Sequence, residues 1–290
     1  MSDQAEHLRS LVAKSRHEPH EKDTRVIIIT SGKGGVGKSN FTLNYALGLA
    51  KHGKQVVILD ADVGFANIDV LMGIKPQKTL ADLIQKRATL DEILETGPHD
   101  IKLIAGGSGF QELIDIQPEQ CDYLLEQLGA LQGVADYVLI DTGAGLNAQM
   151  LQLILASDDV YVVLTPEPTA ITDAYALIKM VVNREPNTRL QLVINRAQSM
   201  AEGKETAEKV RLVAERFLGV ELSTFCVLLD DPNVTKSVRR QKPFLLAYPH
   251  GLASRCIEDV VQAQVKGERT RKRSNKGMKQ FLHRMVRLFQ

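Results

Sequence analysis

The sequence predicts an α/β protein built on a doubly wound, mainly parallel sheet, with an arm before it and an amphipathic helix after it. Three observations carry this. From Thr24 onward, apolar runs of strand length alternate with helix-period segments. The runs are rich in Val, Ile and Leu without polar alternation, as strands covered on both faces are. No internal repeat or linker divides residues 25–265. Such alternation means right-handed crossovers between parallel strands, and 290 residues suit one large domain with appendages.

The arm is residues 1–24, polar, with His7, His17, His20 and a Pro19 break. Asp3 and Glu6 have capping-box spacing, and Ala5, Leu8, Leu11 and Val12 form a short stripe, so 3–14 is a candidate helix. About 12–15 residues is marginal for a helix alone in water, so this one needs a partner. Strands follow at Arg25–Thr30, Val56–Asp60, Ile101–Ile104, Tyr137–Asp141, Val160–Thr165, Gln191–Ile194 and Thr224–Leu228. Helices are expected at Asn40–Lys51, Thr79–Gln85, Glu119–Leu131, Ala148–Leu155, Ala170–Asn183, Lys204–Leu218 and Leu252–Val265.

Composition removes several classes. Cys121, Cys226 and Cys256 stand far apart, which argues against a disulfide framework or a cysteine zinc site and fits a reducing compartment. No apolar run reaches about 18 residues and the N-terminus is polar, so neither a transmembrane span nor a secretory signal is expected. The net charge of +1 hides an asymmetry: residues 266–290 hold nine Lys or Arg against Glu268, a charge of +8 beside −7 on the rest. A basic tail on an acidic body points to an anionic partner.

Ligands of such sheets bind beyond the carboxyl ends of the strands, so the residues after each strand hold the chemistry. After the first strand stands Gly32-Lys33-Gly34-Gly35-Val36-Gly37-Lys38-Ser39-Asn40, leading straight into a helix. This is a complete P-loop in its required context. Its glycines let backbone N–H groups wrap phosphates at a helix N-terminus. Lys38 is placed to reach the β and γ phosphates, and Ser39 to ligate Mg2+. The second strand ends in Asp60-Ala61-Asp62, and a later one in Asp141-Thr142-Gly143-Ala144-Gly145. Carboxylates at the edge of a buried strand are costly unless they face a cation or water.

Lys33-Gly-Gly-Val-Gly-Lys38-Ser39 resembles the deviant Walker A motif of the ParA/MinD group of P-loop ATPases. The resemblance implies that Lys33 reaches across an ATP-dependent homodimer to the partner's phosphates, where a second cation stabilises transition-state charge. It also implies that Asp60 supports the metal, that Asp62 orients or deprotonates the attacking water, and that Asp141 holds Mg2+ through water. The group often has proline after that last aspartate; this chain has Thr142-Gly143. Asn195-Arg196 resembles the group's adenine-reading position, with Asp231 in Asp230-Asp231-Pro232 at the matching place after the next strand. Absence of the guanine-selective Asn-Lys-x-Asp string favours ATP/ADP over guanine nucleotides.

At the end of the chain Met278, Phe281, Leu282, Met285, Val286 and Phe289 recur at helical spacing, with Lys276, Lys279, Arg284 and Arg287 on other faces. This basic amphipathic helix resembles the membrane-targeting helix of MinD, and an anionic membrane is its expected surface. The alternative is a last core helix packed on the domain. The basic run lacks interleaved aromatics, which argues against nucleic acid. At the other end Asp3, Gln4, Leu8 and Arg9 resemble the DQAxxLR element of the FlhG family, also called FleN or YlxH.

That resemblance implies an arm that stimulates an FlhF-type GTPase, a body that engages flagellar C-ring proteins of the FliM/FliN(Y) type, and control of flagellar number and placement. The domains read as 1–24 arm, 25–265 ATPase, and 266–290 basic linker with a membrane-targeting helix. The expected location is cytoplasmic, reversibly at the inner face of the cell membrane. A MinD-like septum-site ATPase, a ParA-like partition ATPase and a nucleotide-gated adaptor are the alternatives.

Overall fold

The computed structural model describes residues 24–62, 67–112, 116–145, 147–268 and 277–289; the arm residues Asp3, Gln4, Leu8 and Arg9 therefore lie outside the described residues. In chain order the elements are β1 (Arg25–Ser31), α1 (Lys38–Lys51), β2 (Val56–Ala61), α2 (Ile68–Met72), α3 (Leu80–Ile84), α4 (Leu90–Ile93) and β3 (Leu94–Thr96). Then come β4 (Lys102–Ala105), α5 (Gly109–Glu112), α6 (Pro118–Gly129), β5 (Tyr137–Ala144), α7 (Ala148–Ala156), β6 (Asp159–Leu164), α8 (Pro168–Arg184) and β7 (Leu190–Ala197). The last are α9 (Met200–Leu218), β8 (Ser223–Leu229), α10 (Pro232–Arg239), α11 (Phe244–Ala247), α12 (Leu252–Glu268) and α13 (Met278–Phe289).

One eight-stranded sheet runs β3-β4-β2-β5-β1-β6-β7-β8, parallel throughout except for the β3–β4 pair at one edge. β1 sits between β5 and β6, at the point where the chain changes its direction of winding. Its alternate residues feed two cores. Val26 and Ile28 pack with α6, α7, α8 and α9 residues on one face. Ile27 and Ile29 pack with α1, α11 and α12 on the other. Burial on both faces explains the unbroken apolar runs.

The seven expected strands are present, with ends shifted by at most three residues. β3 was not expected: three residues carry too little periodicity, and its place comes from pairing with β4. α10 and α11 were also missed, although Asp231-Pro232 is an N-cap followed by an N1 proline, and Asp231 Oδ1 accepts from Asn233 N at 2.9 Å.

The tail helix forms as α13 but does not stand apart from the body as a separate unit. Met278, Phe281, Leu282 and Met285 are at most 4% exposed, sealed into the core with α6 and α7, and Val286 packs beside them. Gln152 of α7 donates to the Leu288 carbonyl. An apolar stripe adjoining an apolar groove loses more water-exposed surface by packing than by facing solvent. The Phe289 side chain lies outside the described residues. Among the described residues, no helix is long and apolar enough to cross a membrane.

Candidate nucleotide site

Gly32–Gly37 turns from the end of β1 into α1, so Lys38, Ser39 and Asn40 occupy the first helical turn. Gly37 has φ +90°, which demands glycine, and a Cβ there would fall 2.3 Å from Asn195 Nδ2 and displace that amide. Asn195 Nδ2 donates to the Val36 carbonyl at 2.8 Å. The amide expected to read adenine thus fastens the phosphate loop from the end of β7.

Lys38 is 7% exposed and its Nζ lies 3.2 Å from Asp141 Oδ1. The Thr42 hydroxyl, one turn on in α1, lies 3.0 Å from the same oxygen. Asp141 Oδ2 is buried without a hydrogen-bond partner in the described structure. An orphan carboxylate oxygen towards the carboxyl end of a parallel strand, on a residue bonded to Lys38 and Thr42 of the helix that carries Ser39, fits a divalent cation. Asp60 is the in-register neighbour of Asp141 on β2. Burial first, and the Asp141 charge second, push its carboxyl up to about 6. Its oxygens accept from the backbone amides of Asp62 at 3.1 Å and of Asn67 and Ile68 at 3.2 Å each. Asp60 therefore caps α2 and organises the segment that carries Asp62, a more structural task than the metal support expected of it.

Asp62 Oδ2 accepts from Asn67 Nδ2 at 3.0 Å. Burial raises its pKa, Lys38 opposes that rise, and Asp141 adds to it. The Thr142 hydroxyl donates to the Ile29 carbonyl at 3.1 Å, tying β5 back to β1 where proline has no such group. Lys33 turns away from the loop: Nζ lies 3.1 Å from Glu167 Oε2 and 2.9 Å from Thr169 Oγ1. Thr42, Asn67, Glu167 and Thr169 were not anticipated. Glu167 follows β6 at its carboxyl end, where the search rule for parallel sheets points, but its pairing with Lys33 spans 134 residues.

Residues 24–194 match the family model described as AAA domain (AAA_31). The antiactivator FleN of Pseudomonas aeruginosa is 39% identical over 82% of this chain and 85% of its own. The flagellum site-determining protein YlxH of Helicobacter pylori is 36% identical over 91% of this chain and 90% of its own. The chain belongs to the FlhG (FleN/YlxH) family of MinD/ParA-type P-loop ATPases. A solved structure of MinD with Mg-ADP from Pyrococcus horikoshii superimposes with a TM-score of 0.69 at 23% identity, covering 87% of this chain and all of that one, which establishes the common fold.

In this FlhG-family ATPase a narrow cleft opens beside the loop, lined by Gly37, Asn40, Asn195, Arg196, Asp231 and Val234. Arg196 sits there at φ +58°, a left-handed conformation that a non-glycine side chain rarely adopts and that is retained where a site holds it. Asp231 lines the wall, but its Oδ2 accepts from Ala253 N at 3.2 Å and its Oδ1 caps α10. Its carboxylate joins α10 to α12.

Proposed function

We propose that this chain is a flagellar regulator that cycles between an ADP-bound monomer and an ATP-bound, membrane-associating homodimer, controlling flagellar number and placement. The relatives named as antiactivator and as flagellum site-determining support the flagellar setting. One geometric observation carries the switch: of two lysines in one phosphate loop, Lys38 is buried at the cradle while Lys33 is held outside it.

On nucleotide entry Lys38 exchanges Asp141 for the β and γ phosphates. Loop amides from Gly34 to Ser39 and the N-terminus of α1 neutralise phosphate charge. Ser39 and Asp141 would hold Mg2+, with Asp60 supporting them, and the bound ion would neutralise charge developing on the phosphates. Asp62, fixed by Asn67, aligns water with the γ phosphate. Lys33 leaves Glu167 for the partner's phosphates, which ties hydrolysis to dimerisation.

Membrane binding follows if α13 leaves its groove in the dimer. Two tail helices then act together, each too weak alone, and the basic residues add attraction to anionic lipid. Arm residues Asp3, Gln4, Leu8 and Arg9 activate an FlhF-type GTPase, and the body engages C-ring proteins of the FliM/FliN(Y) type. The test couples two measurements. Phosphate release and light scattering should show ATP-dependent dimers and slow turnover, and a peptide of residues 1–23 should accelerate GTP hydrolysis by an FlhF-type GTPase. A monomer in every nucleotide state overturns the switch, and an inert peptide removes the flagellar GTPase from the scheme.

A further inference from the structure

At the edge of the sheet opposite the nucleotide site, beneath the amino ends of β6 and β7, lies a cavity of about 520 Å³. The end of α7, the α8–β7 turn and α13 border it, and it opens to solvent past the exposed Arg189, Arg287 and Leu288. Three guanidinium groups line it: Arg189, which precedes β7, and Arg284 and Arg287, one turn apart on α13. None of the three has an ion-pair partner among the described residues. The two carboxylates in the wall are engaged with the backbone, Asp158 accepting from Val26 N at 2.9 Å and Glu185 from Asn187 N at 3.3 Å. Three arginines from two separate elements thus face one space against two carboxylates, with no direct ion pair between them.

Guanidinium forks match phosphate oxygens bidentately, and three of them outweigh the two engaged acids. Leu155 and Leu288 add an apolar side to the cavity, which suits an ester carrying a carbon group better than a bare inorganic ion. We propose that this cavity is a second anion site, for a phosphate ester, independent of the P-loop. Because Arg189 belongs to the body and Arg284 and Arg287 to the tail helix, an ester bound there bridges the two and favours the packed position of α13. The ester is a soluble metabolite or the headgroup of an anionic lipid; the chemistry is shared.

The test uses the full chain saturated with Mg·ADP, so that the P-loop is filled, and titrates sn-glycerol 3-phosphate by calorimetry. Saturable binding is expected, weakened about tenfold by Arg189→Gln and by Arg287→Gln, with unchanged melting curves and unchanged ADP affinity. Vesicles of phosphatidylglycerol in phosphatidylcholine then separate the sources. With the same ADP-filled protein, vesicle retention that Arg189→Gln removes assigns the site to a lipid headgroup; no retention, or retention unchanged by Arg189→Gln, with weakened glycerol 3-phosphate binding assigns it to a soluble ester. No binding to the ADP-filled protein, or binding indifferent to Arg189→Gln, overturns the proposal, because general attraction to the basic tail does not need a residue of the body.

Discussion

Lys33 and Glu167 form an ion pair within one subunit, 3.1 Å apart across the mouth of the phosphate loop, with Thr169 completing the hold on the ammonium. The two side chains are 40% and 61% exposed, so the pair is weak, within the 0–1 kcal/mol range of exposed pairs. A weak tether suits a residue that must change partners. Glu167→Gln should lower the ATP concentration needed for dimerisation by up to about fivefold, the ratio that ~1 kcal/mol allows. Lys33→Ala should abolish ATP-dependent dimers while changing ADP affinity less than about twofold, since Lys33 makes no contact a phosphate would need within its own subunit. Light scattering against an ATP titration, with ADP calorimetry beside it, reads both.

Lys38 and Asp141 behave differently because they are buried. Asp141→Asn removes the counter-charge bonded to the ammonium, leaving only the unbonded Asp62 nearby, and should destabilise the ligand-free protein by up to about 3–5 kcal/mol. Nucleotide supplies the missing anion, so Mg-free ADP should restore part of that loss in melting experiments. Lys38→Ala should weaken ADP at least ~10-fold, by removing a charge-assisted contact from the cradle. An Asp141→Asn protein as stable as wild type without nucleotide would refute the pairing.

Asp60 gives the site a pH dependence. Its pKa stands raised from 3.8 to about 6, so between those values the folded state holds more protons than the unfolded one. The sign follows: its contribution favours folding at low pH and is lost as pH rises through that window, by roughly 3 kcal/mol. A bound divalent cation favours the ionised carboxylate, so Mg·ADP binding should release up to about one proton near pH 5.5 and almost none above about pH 7.5. Calorimetry in buffers of different ionisation enthalpy measures it. Equal proton release at both pH values would show that Asp60 is not linked to the site.

The tail helix changes what a mutation there reports. Phe281 is 3% exposed and faces α6 and α7, so Phe281→Glu should both remove vesicle binding and destabilise the fold by several kcal/mol, through a charge driven into the core. Leu288, 38% exposed, separates the effects: Leu288→Glu should lower sedimentation with anionic vesicles and shift the melting temperature little. If both variants melt like wild type, α13 does not occupy its groove in solution.

Much of this was legible because the chain encodes it locally. β1, the glycine loop and α1 follow from an apolar run, residues that permit tight turns, and a helix start, all within 27 residues. Asp60 and Asp141 were found as carboxylates at strand ends, where burial makes a bare charge costly. What they touch was not legible: whether Asp60 faces a metal or the amides of Asn67 and Ile68 depends on how the chain returns after β2. Glu167 escaped for the same reason. Asp231-Pro232 is a helix start by its local chemistry, and Asp231 caps α10 from the wall of the cleft. The stripe from Met278 to Val286 fixed a helix and its apolar face, yet spacing is indifferent to whether lipid or protein covers that face; the groove between α6 and α7 decides it here.

Gly143 is the remaining departure that the geometry explains. A Cβ at this position would stand 3.1 Å from Asp62 Oδ1, tighter than ordinary contact, so any larger residue must push the carboxylate aside. Thr142 beside it spends its hydroxyl on Ile29, holding this turn of β5 close to β1. Gly143 thus leaves room for the Asp62 carboxylate, the group proposed to align water. Gly143→Ala should move that carboxylate by a few tenths of an ångström without touching the phosphate cradle. ATP binding and dimer formation should persist while turnover falls about 10- to 100-fold, because misplacement of an aligning group costs rate more than affinity. Single-turnover hydrolysis of preformed dimers isolates the effect from assembly. Wild-type turnover in Gly143→Ala would mean that Asp62 is not the group aligning the water, and the search would move to the other side chains that face the γ phosphate.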